Sequence, residues 1–269
     1  MLTALLRSLR TGVVTIRYPA EPAAVPERFR GAPRPVAGRR FDALPSPAAC
    51  PTGAISGDGV ARWAIDLARC IRCGECAVDE PDAPVELGRE VELAARSRAG
   101  LVAEVTRGED GSIVPLPPPP PPAGVERWIR RTLGRSLALR HLDAGSCNAC
   151  DWELTALLNP VYDVRRLGID FVASPRHADG VIVTGPVTRN LETAVRRTWE
   201  AVPDPRIVIA VGTCASSGGI VGRSYASAGG VGEVLPVDVL IPGCPPRPEA
   251  ILYGILLAVG RVRERRAGA

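Results

Sequence analysis

Eight cysteines constrain this chain more than any other feature: Cys50, Cys70, Cys73, Cys76, Cys147, Cys150, Cys214 and Cys244. They fall into two groups of four. In the second group, Cys147 and Cys150 form a close pair just ahead of an apolar-periodic segment. Cys214 and Cys244 follow at long range, each in a turn rich in glycine or proline: Val-Gly-Thr-Cys-Ala-Ser-Ser-Gly-Gly and Ile-Pro-Gly-Cys-Pro-Pro-Arg-Pro. A close pair plus two distant singles, all in loops, is how a fold gathers four thiolates around one metal centre. Any architecture for this chain must bring those three loops to one place.

The first group is Cys50-Pro and Cys70-Ile-Arg-Cys73-Gly-Glu-Cys76. In two-cluster bacterial ferredoxins each motif runs C-x2-C-x2-C-x3-C-P, and the fourth Cys of one motif ligates the other motif's cluster. Taking Cys50 as such a fourth Cys puts its partners at positions 40, 43 and 46, which are Arg40, Ala43 and Ser46. The fourth Cys after Cys76 belongs at position 80, which is Glu80. One complete ligand set is thus missing and the other is intact. The pattern resembles a ferredoxin-like domain that has lost one cluster and kept a single [4Fe–4S] centre on Cys50, Cys70, Cys73 and Cys76. Four cysteines also suit a structural zinc ion. A zinc ribbon pairs two C-x2-C knuckles, however, whereas three cysteines at successive x2 spacing wrap one face of a cubane.

Secreted small domains also carry even numbers of cysteines. The first residues, Met1 to Arg10, lack the apolar run and cleavage pattern of a signal peptide. The longest apolar run, Ala250 to Val259, is half of the roughly 20 residues a membrane span needs. These readings point to a cytoplasmic chain, where clustered cysteines serve metal or redox chemistry. The net charge is +4, and all basic residues are Arg. That balance is too mild to indicate nucleic acid. The apolar fraction is 46% with only 4% aromatic, so Val, Ile, Leu and Ala must fill the core.

Pattern divides the chain into residues 1–114, a proline-rich linker at 115–124 with unbroken proline from Pro117 to Pro122, and residues 125–269. Residues 1–12 read as a short amphipathic helix, packed on protein or touching a membrane surface, and 18–49 as an extended arm. Val85 onward has helical character, and Leu101 to Val105 reads as a strand. In the last part, 125–139 reads as helical or irregular and Asp151–Leu158 as a helix. Strands are expected at 169–174, 180–186, 206–212 and 237–243, with helices at 191–202 and 248–266. The last of these places Arg in its final turns, as the helix dipole favours. Alternating strands and helices imply an α/β, doubly wound parallel sheet of flavodoxin-like type, preceded by a small α+β ferredoxin-like domain. Ligands of such sheets lie beyond the carboxyl ends of the strands. Thr184-Gly-Pro-Val-Thr, Cys214 and Cys244 each follow a strand, so one sheet edge collects them, and Cys147 and Cys150 complete a set of four.

Residues from about 141 to 260 resemble the subunit shared by respiratory complex I and membrane-bound energy-converting [NiFe]-hydrogenases, including formate hydrogenlyase. The matching segments are Gly-Ser-Cys147-Asn-Ala-Cys150-Asp-Trp-Glu153, Ala178-Asp-Gly-Val-Ile-Val-Thr-Gly-Pro-Val-Thr, and the two loops around Cys214 and Cys244, the last continuing Pro-Glu-Ala-Ile-Leu-Tyr-Gly. The N-terminal part is similar to the ferredoxin-like partner subunit of the same complexes, with Arg17-Tyr-Pro-Ala-Glu-Pro and Phe29-Arg-Gly fitting its leading arm. The resemblance implies a fusion of the two, with a second [4Fe–4S] cluster on Cys147, Cys150, Cys214 and Cys244. It further implies a catalytic large subunit as partner, membrane-arm subunits, a soluble electron carrier, and peripheral attachment to the inner face of the membrane.

Complex I members have the first two ligands adjacent. The Asn148-Ala149 insert is instead similar to the hydrogenase branch, where a glycine is usual at position 149. Glu153 matches a family glutamate and reads as a proton relay, or as a first-turn carboxylate favoured at a helix N-terminus. Arg247 reads as a hydrogen-bond donor to the cluster or to an interface carboxylate, or as an exposed arginine. His141 and His177 lack a second ligand at metal spacing and read as surface or satisfied polar groups. Two classes compete with the redox reading. One is a zinc-stabilised interaction module. The other is a nucleotide-binding enzyme, which needs a phosphate loop that Gly212, Gly218, Gly219 and Gly222 do not form.

Overall fold

The computed structural model describes residues 2–77, 80–122, 133 and 136–265. Much of the expectation for 125–139 lies outside these residues.

Helix α1 (Leu2–Thr11) opens the chain, as the amphipathic pattern predicts. The arm that follows is mostly irregular, and its strand β1 (Pro33–Pro35) pairs antiparallel with β4 (Val85–Leu87). Between them β2 (Ile55–Gly57) and β3 (Arg62–Asp66) form a hairpin, and β5 (Val102–Arg107) and β6 (Ile113–Pro115) extend it into a four-stranded antiparallel sheet ordered β2-β3-β5-β6. Alternation builds this sheet: Trp63 and Ile65 point inward from β3, Ala103 and Val105 from β5. Leu116–Pro122 then runs without regular structure, largely exposed.

The helical character expected after Val85 is not realised. Gly88 exchanges backbone hydrogen bonds with Gly31 and Ala32, which prolongs the β1–β4 ladder. Farther on, Ala95 and Leu240 exchange N–H···O bonds of 3.0 and 2.9 Å, so the segment caps the outer edge of the second sheet. An open edge presents a row of unpaired donors and acceptors, and covering it outweighs a weak local preference for helix.

The second sheet is parallel throughout. Its strands are β7 (Leu137–Asp143), β8 (Ile169–Phe171), β9 (Gly180–Thr184), β10 (Ile207–Val211) and β11 (Val239–Ile241). Their spatial order is β8-β7-β9-β10-β11. Numbered from its own first strand this is the 2-1-3-4-5 order of a flavodoxin-like sheet. All residues of β9 and β10 are buried, as strands covered on both faces require. The helices are α2 (Ala149–Ala156), α3 (Arg189–Glu200), the short α4 (Gly212–Ser217) and α5 (Pro248–Ala258).

Two expectations for this part are corrected. Residues 137–139 belong to β7, a central strand rather than a helix or loop. Its outer half carries Arg140, His141 and Asp143, which break the apolar signature. Helix α5 stops at Ala258, not Arg266. Gly260 adopts φ +67°, and Arg261 N–H returns to Leu256 O, the left-handed glycine stop of a helix C-terminus. The arginines therefore follow the helix instead of occupying its last turn.

Candidate functional site: two four-cysteine loops in contact

The flavodoxin-like order reverses between β7 and β9, and the crevice beyond their carboxyl ends is where such sheets bind ligands. The loop bearing Cys147 and Cys150 leaves β7 at this point. Its course is fixed by local hydrogen bonds. Asp143 Oδ1 accepts from Gly145 N at 2.9 Å and Ser146 N at 2.7 Å, and Ser146 Oγ accepts from Asn148 N at 2.9 Å. Ala144 and Thr188 tie the loop to the turn after β9.

Asp151 sits behind the cysteine pair and receives three donors. Ser146 Oγ–H makes a short bond to Oδ2, Thr184 Oγ–H reaches Oδ1 at 2.9 Å, and His141 Nε2 lies 3.0 Å from Oδ1. Burial holds the His141 pKa below its ordinary value; the charges of Asp151 and Asp143 pull the other way without overcoming it. His141 is thus a neutral hydrogen-bonding partner, a satisfied polar group as its sequence context suggests, and His177 is exposed. Asn148 takes the left-handed conformation between the two cysteines, φ +67°. Ala149 is simply the first residue of α2, so the usual glycine is not required there.

Strand β10 delivers Gly212, Thr213 and Cys214, and β11 delivers Gly243 and Cys244. Gly212 has φ +89°, and a Cβ at this position would lie 2.5 Å from Cys150 Sγ and 3.5 Å from the Gly243 carbonyl. Gly219, φ +57°, would bring its Cβ to 2.8 Å from Cys214 Sγ. Both positions are cradles that only glycine leaves open. Burial raises the Cys150 thiol pKa, and the charges of Cys214, Cys244, Asp151 and Cys147 raise it further. All four sulfurs of this set therefore lie within each other's electrostatic reach.

The first set converges likewise. Burial pushes Cys70 up to about 11 against the lowering effect of the Arg72 N–H and charge, with Cys50 and Cys73 adding to the rise. Burial and then the charges of Cys70 and Cys73 push Cys76 up to about 11. Burial also opposes ionisation of Cys50, but hydrogen bonds from Thr52, Ala54 and Ile55 outweigh it and hold its pKa below the usual thiol range. Backbone N–H groups reach two of these sulfurs: Ala54 to Cys50 Sγ at 3.2 Å and Arg72 to Cys70 Sγ at 3.3 Å. N–H···S bonds of this kind stabilise metal-bound thiolate and tune cluster potentials. Among the described residues, no three His, Cys, Asp or Glu side chains close on a point tightly enough for a single metal ion. The thiol donors fit sulfur ligation, with N–H···S bonds at the first set and glycine cradles at the second.

The two sets are in contact through residues the sequence reading assigned no role. Thr213 is 1% exposed; its Oγ–H donates to the Cys70 carbonyl at 3.0 Å, and its N–H donates to the Gly243 carbonyl at 2.8 Å. Ser217 Oγ–H reaches Ala68 O at 2.8 Å. Arg72 donates to Pro242 O at 3.2 Å. One buried threonine thus touches the Cys70 loop and the Cys244 loop while standing next to Cys214.

Arg247 is not an exposed arginine. Its Nε and Nη2 chelate Glu249 at 3.2 and 3.0 Å, Nη2 also reaches Ala24 O, and its guanidinium carbon lies 5.4 Å from the Phe29 ring centroid. Glu249 is 4% exposed and neighbours Glu153. Burial raises the Glu153 pKa, the Glu249 charge adds to this, and Arg247 opposes it.

The family described as "NADH ubiquinone oxidoreductase, 20 Kd subunit" matches residues 147–258. A probable membrane-bound hydrogenase subunit of Pyrococcus furiosus is 46% identical over 136 residues, covering 51% of this chain and 81% of that protein. The chain belongs to the NADH ubiquinone oxidoreductase 20 Kd subunit family. Subunit 7 of formate hydrogenlyase from Escherichia coli is 41% identical over 159 residues, 59% of this chain, and the match spans 62% of that relative's length. An NADH-quinone oxidoreductase subunit from Citrifermentans bemidjiense is 44% identical over 117 residues, 44% of this chain and 68% of that protein. The family match takes in Cys147, Cys150, Cys214 and Cys244 and leaves the first cysteine set outside it.

Proposed function

We propose that this chain is an electron-transfer subunit of a [NiFe]-hydrogenase-like, formate hydrogenlyase-type complex, relaying single electrons to or from the active site of a partner large subunit. One [4Fe–4S] cluster is held by Cys50, Cys70, Cys73 and Cys76, the other by Cys147, Cys150, Cys214 and Cys244. Each cluster supplies a site that takes up and returns one electron. The chain's own residues do the rest. Asp151, Thr184, His141 and Ser146 brace the Cys147–Cys150 loop, and Gly212 and Gly219 leave room at the sulfurs. The observation that carries the reading is the bond from Thr213 Oγ to the Cys70 carbonyl, which joins the two ligand sets by a single side chain. We read residues 1–114 as the ferredoxin-like unit, 115–124 as the linker and 125–269 as the small-subunit-like unit.

A large subunit would dock over the second set. Cys147 and Cys244 are exposed, and Trp152 (73% exposed), Ile220 and Tyr225 (98%) surround these loops in sequence. Glu153, whose pKa burial and the Glu249 charge raise, would serve as the proton-relay carboxylate at that face. No helix among the described residues is long and apolar enough to cross a membrane. In this reading attachment to the inner face of the membrane runs through membrane-arm subunits, with a soluble carrier exchanging electrons at the first set.

The similarity to a quinone oxidoreductase subunit supports a second reading, in which the large subunit handles quinone. The Asn148-Ala149 insert favours the hydrogenase branch. A neighbouring large-subunit gene with nickel-ligand cysteine pairs supports that branch, and one without them supports the quinone reading. The test of the relay itself is metal and sulfide analysis of anaerobically purified protein. About eight irons and eight sulfides per chain are expected; a colourless protein with stoichiometric zinc would overturn the proposal.

A further inference from the structure

We propose that Arg72 is a positioning residue whose single guanidinium sets the reduction potentials of both clusters together. The inference rests on the two-cluster reading above. Arg72 lies between two ligands of the first set, in Cys70-Ile-Arg-Cys73. Its backbone is left-handed, φ +56°, and its N–H donates to Cys70 Sγ at 3.3 Å. The guanidinium crosses to the second unit and donates to the carbonyl of Pro242, two residues before Cys244, at 3.2 Å. The sulfurs that act electrostatically on this guanidinium are Cys70 and Cys244, one from each set.

The cations around the first set are not equivalent. Arg30 reaches the Cys73 carbonyl, at 3.3 Å, and Arg69 reaches the Gly53 carbonyl, at 3.3 Å. Both of these contacts are to backbone of the first unit. Arg72 alone among the three bonds to the second. A cluster becomes more negative by one charge when it takes an electron, and a fixed cation nearby favours that state. A cation between two clusters favours the reduced state of each. When one electron leaves the first centre and enters the second, Arg72 loses one favourable partner and gains the other. No proton or bond need move with it. The effect is to hold the two potentials in step, so that the electron passes in either direction without a large uphill leg.

The experiment is an anaerobic redox titration of the whole protein followed by EPR, on wild type, Arg72→Gln, Arg72→Lys and Arg30→Gln. Unbranched replacements suit the left-handed backbone. Arg72→Gln is expected to lower both midpoint potentials, each by about tenfold in the reduction equilibrium, or about 59 mV for a one-electron couple. Arg72→Lys is expected to keep both near wild type, and Arg30→Gln to shift the first cluster only. A shift of one cluster alone in Arg72→Gln, or of neither, overturns the inference. Should Arg72→Gln lose iron, Arg72→Lys decides: it keeps the charge, so loss of either potential's wild-type value refutes the electrostatic role. Wild-type protein with fewer than two EPR signals instead refutes the two-cluster reading, a separate result from unchanged potentials in a fully loaded variant.

Discussion

Gly212→Ala isolates what the second cysteine set requires of its scaffold. The new Cβ would stand 2.5 Å from Cys150 Sγ, whereas ordinary contact begins at 3.4 Å, so one of the two must retreat by 0.9 Å. The same Cβ already stands in ordinary contact with the Gly243 carbonyl at 3.5 Å and Pro246 Cδ at 3.8 Å, which limits how far it can shift. The left-handed φ of +89° adds about 1–2 kcal/mol of backbone strain. A displacement near 1 Å is large against metal–sulfur bonds of about 2.3 Å, so a centre that needs all four sulfurs should fail to assemble. Gly222→Ala is the control, because Gly222 also has positive φ, +63°, but a Cβ there meets nothing within 4 Å. It carries the strain without the intrusion. Iron analysis and EPR after anaerobic purification should show Gly212→Ala retaining about half of the wild-type iron and one of two signals, with Gly222→Ala near wild type. Full iron and both signals in Gly212→Ala would refute the argument. Equal loss in both variants would assign the effect to backbone strain and not to the sulfur.

Other outcomes follow from the same geometry. Cys147→Ser should remove one EPR signal and leave the other, since the two sets share no ligand; loss of both signals, or of neither, contradicts the assignment. Thr213→Val should destabilise the fold by about 1–3 kcal/mol, because the buried Cys70 carbonyl loses its donor; it should also slow electron exchange between the centres, read by rapid-freeze EPR. His141 has a folded pKa below its unfolded value of 6.5. The unfolded chain therefore binds more protons as pH falls, and the His141 contribution, full above 6.5, is lost as pH drops through the folded pKa. Thermal inactivation between pH 5 and 8 should show that decline, and His141→Gln should flatten it. Under the proposed docking of a large subunit over the second set, Trp152→Glu should weaken co-purification with that subunit while leaving iron content unchanged.

The parts of the fold that announced themselves in the sequence are those whose environment is uniform. Strands β9 and β10 are buried on both faces and read as continuous apolar runs, so their position and the glycine turns after them were legible. Strand β7 was not, because its carboxyl end is the site: Arg140, His141 and Asp143 stand where an apolar pattern would otherwise continue. Residues 88–96 carry a helical pattern in sequence, but what holds them extended lies far away, at Gly31 and Leu240. The grouping of the cysteines into two sets of four is readable from their spacing and from the motifs around them. The residues that join their loops are not. Thr213 meets Cys70 across 143 positions and Arg72 meets Pro242 across 170, and no local pattern encodes either contact. Thr184 and Asp151 were visible only as letters inside matching motifs, and the network they form behind Cys150 required the register of β7 against β9.

The proposed relay needs two electron-accepting centres in one chain, on two ligand sets that touch. Anaerobic reductive titration of the isolated, intact chain, followed by EPR, decides whether both are present. An uptake of two electrons per chain and two EPR signals are expected, and because Thr213 and Arg72 join the loops of the two ligand sets the signals should interact magnetically. Uptake of a single electron, or two signals with no interaction, would contradict the proposed relay.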